Sequence, residues 1–180
     1  MALGSTVYNF DIDLADSDRG VYETLALRVA RHPSESEDYL VARVLAYCLE
    51  YTDGIEFSRG GLSDPDDPPI AVRDLTGRLL AWIDVGTPSG DRLHKAAKLA
   101  SRVAVYVHRD ATQWLSGLAS AKIHRGEQVV IRAFDRALLS PLVERLDRRM
   151  SFALGVNEGE LFLSFESATL TGRLTPLDIA

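Results

Sequence analysis

The sequence predicts an α/β (α+β) chain, a mixed β-sheet flanked by helices, with antiparallel strands at both chain ends. Three observations carry this. Residues 6–14 alternate polar and apolar side chains. Two near-continuous apolar runs, 79–85 and 103–108, are separated by a capped amphipathic segment. The last thirty residues break into short alternating runs joined by turns. Alternation marks a strand with one wet face, whereas a continuous apolar run marks a strand covered on both faces.

Taken in order, Tyr8, Phe10, Ile12 and Leu14 share one face of the first strand, with Asn9, Asp11 and Asp13 opposite. A turn over Asp16 to Gly20 leads to Val21, Leu25, Leu27 and Val29, a returning strand and hence a hairpin. In RHPSESED, Ser34 and Glu37 have capping-box spacing. The rows Leu40, Val44, Cys48 and Val41, Leu45, Leu49 then give one apolar stripe, predicting a helix from about 35 to 51. Ile55 to Ser58 is a short strand. GGLSDPDDPP (60–69) combines glycine, proline and acids and reads as a loop inserted in one domain of residues 1–180.

LLAWIDV (79–85) is a buried strand. Ser89 caps a helix to Ala100, with Leu93, Ala96, Ala97 and Ala100 inward. Residues 103–108 form another buried strand. Asp110 caps a third helix, 129–134 is a strand, and Asp135 caps a fourth helix carrying Leu138, Leu139, Leu142 and Leu146. Residues 151–156, 160–165 and 169–174 complete an antiparallel meander. The centre is therefore βαβαβα.

Composition narrows the function classes. The 180 residues are 46% hydrophobic and 26% charged, an ordinary globular balance. One cysteine, Cys48, excludes an intrachain disulfide and a four-cysteine zinc site. No apolar run approaches the ~20 residues that span a bilayer, so no membrane partner is expected. The lone cysteine and the absence of a secretory leader pattern predict a cytoplasmic address. A net charge of −6 argues against a nucleic-acid-coating protein but leaves room for a local basic site. Seventeen arginines stand against three lysines. No Walker A, G-x-G-x-x-G or G-x-S-x-G pattern occurs, and nothing calls for an organic cofactor.

Asp84 ends a buried strand, where ligands of open α/β sheets gather. It is a candidate metal ligand or acid/base, or else a cap for the turn at Gly86 to Ser89. Glu56, between Ile55 and Phe57, either faces solvent or shares a divalent cation with Asp84. Carboxylates plus water suit Mg²⁺. Lys95 and Lys98 follow on the next helix, in a phase that favours a solvated face. Arg31 and His32, before the first helix, either hold a phosphate at its N-terminus or are exposed loop residues. Glu35, in the first turn, favours the helix dipole.

RHPSE (31–35), EFSRG (56–60) and WID-x-G (82–86), in this order and spacing over nearly the whole chain, resemble the YaeQ family of small bacterial proteins. The resemblance implies a restriction-endonuclease-like, PD-(D/E)XK superfamily fold. It further implies a nuclease dependent on Mg²⁺ or Mn²⁺ and acting on DNA or RNA. Carried over, Asp84 is the second acid, Glu56 the first and Glu35 an extra acid. Gly86 stands where the motif lysine belongs, so Lys95 would replace it from the following helix. Arg31, His32, Glu35 and Arg59 are the substrate- or phosphate-binding candidates. The alternative is a non-catalytic module that has lost this site and binds nucleic acid or a protein.

Overall fold

The computed structural model describes residues 4–58 and 66–179. The chain divides into two compact units. One runs up to Val41 and takes in Phe134–Leu174; the other is Ala42–Ala133 with the residues from Thr175 onward.

The first unit is built on the predicted hairpin, β1 (Thr6–Asp16) and β2 (Val21–Arg31), paired antiparallel without interruption. The meander is also present as β8 (Arg149–Asn157), β9 (Glu160–Ser164) and β10 (Thr169–Leu177). The two ends of the chain meet because β1 pairs with β8 in parallel, giving the order β2-β1-β8-β9-β10. Register puts one apolar face together: Phe10 lies opposite Leu27 and Met150, Ile12 opposite Leu25 and Phe152, and Leu154 opposite Leu163. All are buried. Each such side chain contributes about 1.5–3 kcal/mol by leaving water.

Helix α4 (Arg136–Glu144) covers this unit, capped by Asp135, whose carboxylate accepts from the Ala137 N–H. It approaches β10 closely at Gly172, where an added Cβ would sit 2.6 Å from Leu138 Cβ and 3.2 Å from Asp135 Cβ. Neither neighbour is a flexible side-chain end. Gly172→Ala is expected to lower stability by about 1–3 kcal/mol, measured by urea denaturation.

The second unit carries the predicted centre. Strands β5 (Leu79–Val85), β6 (Arg102–Val107) and β7 (Val130–Phe134) are parallel neighbours. Beyond β5 lie β4 (Ile70–Arg73) and β3 (Ile55–Phe57), both antiparallel. β4 has no counterpart in the sequence reading; its four residues follow Pro68-Pro69 directly. Helices α2 (Gly90–Leu99) and α3 (Thr112–Ala119) cover one face, where Trp82, Val103, Val105, Leu93, Ala96 and Leu118 pack together. On the other face Phe57 stacks on Tyr47 of helix α1 (Glu37–Leu49), ring centroids 4.4 Å apart.

Two caps differ from expectation. Ser36, not Ser34, accepts from the Tyr39 N–H, and the Leu40 N–H donates to the Ser36 carbonyl. The SES tripeptide offers two serines, and the later one wins because Ser34 is engaged with His32. α1 consequently starts at Glu37, and Glu35 lies before the helix rather than in its first turn. Asp110 does not cap α3 from the N-cap position, which is Ala111; it accepts instead from the Thr112 N–H and hydroxyl. Ser89 caps α2 as expected, accepting from the Arg92 N–H.

Candidate functional site

Asp84 stands at the carboxyl end of β5, on the face covered by α2. The following residue but one, Gly86, has φ +96° and turns the chain out of the strand. Pro88 and the cap at Ser89 then start α2, which runs back past Asp84 and brings its first turn over that carboxylate.

The residue that meets Asp84 is Arg92. Its Nε lies 2.9 Å from Asp84 Oδ2 and its Nη2 3.1 Å from Oδ1, a bidentate pair. The Trp82 indole N–H donates to Oδ2 at 2.9 Å. The guanidinium also lies 5.0 Å above the Trp82 ring. The Asp84 side chain is 5% exposed and that of Arg92 20%. A buried carboxylate needs a partner or a proton, and here a planar fork supplies the partner.

The same arginine donates from Nη2 to the Asp67 carbonyl at 3.2 Å. One turn along α2, Lys95 pairs with Asp66. Asp67 itself accepts from the Ser58 hydroxyl at 2.5 Å and lies 3.8 Å from Arg73. Arg73 in turn holds Glu56 at 3.2 Å. Thus Glu56, Asp67 and Asp84 belong to one charge network at one end of the sheet, alternating with Arg73 and Arg92. Glu56, Ser58, Asp67 and Arg73 line an open hollow of about 330 Å³.

Register decides how the two predicted acids relate. Glu56 is opposite Ala71, and Ala71 is opposite Trp82, so Glu56 shares the Trp82 and Asp84 face. The two acids are nonetheless separated by β4 and offset by two positions, about 12 Å between Cα atoms. Each carboxylate is drawn to its own arginine.

A divalent cation shared by Glu56 and Asp84 does not fit this donor set. Both Asp84 oxygens already receive N–H groups from Arg92 and Trp82. Among the described residues, no three His, Cys, Asp or Glu side chains converge as a metal site would require. A lysine at position 86 is also disfavoured, because φ +96° is strained for any residue with a Cβ.

The other candidates have partners of their own. Arg31, His32 and Glu35 belong to the first unit and organise its loop. Arg31 Nε donates to the Glu35 carbonyl, and the buried Glu35 carboxylate accepts from the His32 N–H. His32 Nδ1 accepts from the Ser34 N–H. Lys95 is 44% exposed. Arg59 lies outside the described residues. The sequence reading did not single out Arg92 or Asp67. The signal for Arg92 was present: it borders the apolar stripe of α2 in the first turn, the turn that faces back towards β5.

With the geometry in place, comparison with known proteins decides the family. The model of the family described as "YaeQ protein" matches residues 1–173. The chain belongs to the YaeQ family. YaeQ relatives are similar over nearly their whole length. The protein named "Uncharacterized protein YaeQ" from Salmonella typhi is 32% identical over 177 residues, 97% of each chain. Its namesake in Escherichia coli (strain K12) is 31% identical over 178 residues, again 97% of each. Two YaeQ crystal structures share the architecture. That from Xanthomonas axonopodis pv. citri has a TM-score of 0.88 at 30% identity, covering 98% of this chain and 99% of that one. That from Pseudomonas syringae has a TM-score of 0.86 at 32% identity, covering 96% of each. The mixed α+β architecture is therefore a property of the YaeQ family. No helix among the described residues is long and apolar enough to cross a membrane.

Proposed function

We propose that this YaeQ-family chain is a non-catalytic module that binds nucleic acid without cutting it. The observation that carries the reading is the saturation of Asp84: its carboxylate is fully used by Arg92 and Trp82. The acid is an anchor for α2 and for the chain at Asp67. The turn at Gly86, which leaves no relaxed place for a motif lysine, supports the same conclusion. Nucleic acid is the ligand class because the restriction-endonuclease-like resemblance implies it. Its phosphates would be met by the more exposed cations Lys95 and Arg73 rather than by a metal.

A second reading keeps the resemblance's chemistry: a nuclease dependent on Mg²⁺ or Mn²⁺, with Glu56 and Asp84 on the metal and Lys95 beside the phosphate. The placement of both acids on one sheet face favours it. It requires Arg92 to leave Asp84 first.

One set of measurements separates the two. Mg²⁺ and Mn²⁺ titration calorimetry is run on the wild type and on Asp84→Asn, alongside cleavage of supercoiled plasmid and labelled RNA. Fluorescence anisotropy follows binding of the same oligonucleotides. The binding reading expects no metal heat, no cleavage, and salt-sensitive anisotropy changes with or without metal. Metal binding lost in Asp84→Asn, together with cleavage, establishes the nuclease instead. Absence of any nucleic-acid binding overturns both and leaves a protein partner as the target.

A further inference from the structure

One face of the first unit's sheet is open to solvent, and some of its charges are unanswered. On the side opposite buried Phe10, Leu27 and Met150, register sets Arg28 of β2 and Arg149 of β8 on either flank of Asn9. Both arginines are exposed. The ladders that place them run unbroken along β1, so the three positions are held by the sheet itself.

The row is close-set. The Asn9 N–H donates to the Arg148 carbonyl, so Asn9 turns its backbone groups to β8 and forms a non-hydrogen-bonded pair with Arg28. In such a pair the side chains lie closest, with about 4.5 Å between Cα atoms. Arg149 follows one strand spacing beyond, about 4.8 Å. The two arginines therefore stand about 9–10 Å apart at Cα, with Asn9 midway. In the next row the same outer strands carry Ala26 and Ser151, too small to cover either guanidinium.

Other arginines of this unit are engaged: Arg19 with Asp16, Arg136 with Asp38, and Arg145 over the Phe165 ring. Among the described residues, the side chains of Arg28, Asn9 and Arg149 have no hydrogen bond, ion pair or ring contact. Asp11, one row along β1, pairs with neither arginine. Two guanidinium forks and an amide offer more donors than the two oxygens of a carboxylate can take. A phosphate, with three strong acceptor oxygens around a tetrahedral centre, can accept from all three groups.

We infer that Arg28, Asn9 and Arg149 form a phosphate-binding site on the open face of the first unit's sheet. The arginines take the phosphate from two sides, and the Asn9 amide donates between them. The site shares no residue with the group around Asp84, so the two readings stand or fall separately. A small phosphate ester and a nucleic-acid backbone offer the same chemistry, and the choice of probe tells them apart.

The test uses the intact chain at low ionic strength. Inorganic phosphate is titrated while NMR follows the Asn9 side-chain amide and the arginine Nε–H signals. Saturable shifts are expected at Arg28, Asn9 and Arg149. Arg28→Gln and Arg149→Gln are each expected to weaken binding about five- to tenfold, the loss of one charge-assisted contact. Arg173→Gln removes an exposed charge from β10, two strands beyond β8, and is expected to leave binding unchanged. Thermal melts confirm that each variant is folded. Adenosine monophosphate and single-stranded oligothymidylate then identify the source. Tighter binding of the first assigns a small phosphate ester, and tighter binding of the second assigns a phosphodiester backbone. Shifts that never saturate overturn the inference. So do shifts that sodium acetate reproduces with equal affinity, and so does a loss in Arg173→Gln equal to that in Arg149→Gln, which marks diffuse charge.

Discussion

Replacing Asp84 with alanine is expected to destabilise the chain by about 3–5 kcal/mol, the usual cost of breaking a buried charge pair from one side. Three groups lose their acceptor together: the Arg92 Nε and Nη2 and the Trp82 indole N–H. Arg92 keeps its charge in a site where its side chain is only 20% exposed. Urea or thermal denaturation reads the effect directly. The sign is informative about function. In a preformed metal site, carboxylates crowd one another, and removing one from the metal-free protein relieves repulsion. A loss of stability marks Asp84 as an anchor, whereas an unchanged or raised stability points back to a metal ligand. Arg92→Met in the Asp84→Asn background completes a double-mutant cycle that isolates the pair itself.

The second large effect is expected at Glu50, on the opposite face of the same sheet. Its carboxylate binds Arg102 through Nε at 3.0 Å and Nη2 at 2.8 Å, and accepts from the Tyr106 hydroxyl at 2.6 Å. Glu50 and Tyr106 are buried, while the Arg102 side chain is 42% exposed. Burial pushes the Tyr106 phenol far above its ordinary pKa, with the Glu50 charge adding to it, so the hydroxyl remains a donor. Glu50→Ala leaves this fully buried O–H without its acceptor and is expected to cost about 2–3 kcal/mol. Tyr106→Phe removes donor and need together and is expected to cost only about 1 kcal/mol. The contrast between the two melts tests whether the unsatisfied hydroxyl, rather than the lost bond, dominates.

Legibility in the sequence followed how local each determinant is. LLAWIDV and the 103–108 run were readable as central strands because burial on both faces writes itself into every residue. The alternation of β1 and β2 and the meander were readable for the matching reason. β4 escaped because four residues after two prolines are too few to show a period. The parallel pairing of β1 with β8 joins positions about 140 residues apart, and no local pattern encodes it. Ser34 and Ser36 presented two overlapping caps, and the choice depended on His32 taking Ser34. In the site, Asp84 stood out by its place at a strand end. Its partner did not, because the Asp84–Arg92 bond depends on the angle at which the Gly86 turn launches α2. Lysine was sought at that position, and arginine was found, three residues earlier.

Arg92 holds the Asp84 carboxylate and the Asp67 carbonyl with one guanidinium, and this couples two events. Anything that claims Asp84 in place of Arg92, a cation included, must also slacken the chain at Asp67. By reciprocity, whatever pulls the Asp66-Asp67 segment from α2 makes Arg92 easier to displace from Asp84. Occupancy at the strand end would thus be written into the mobility of a segment that the ligand never touches. Amide exchange at Asp67 and Ile70, which flank two prolines, would report it even where the ligand itself has no spectroscopic signal.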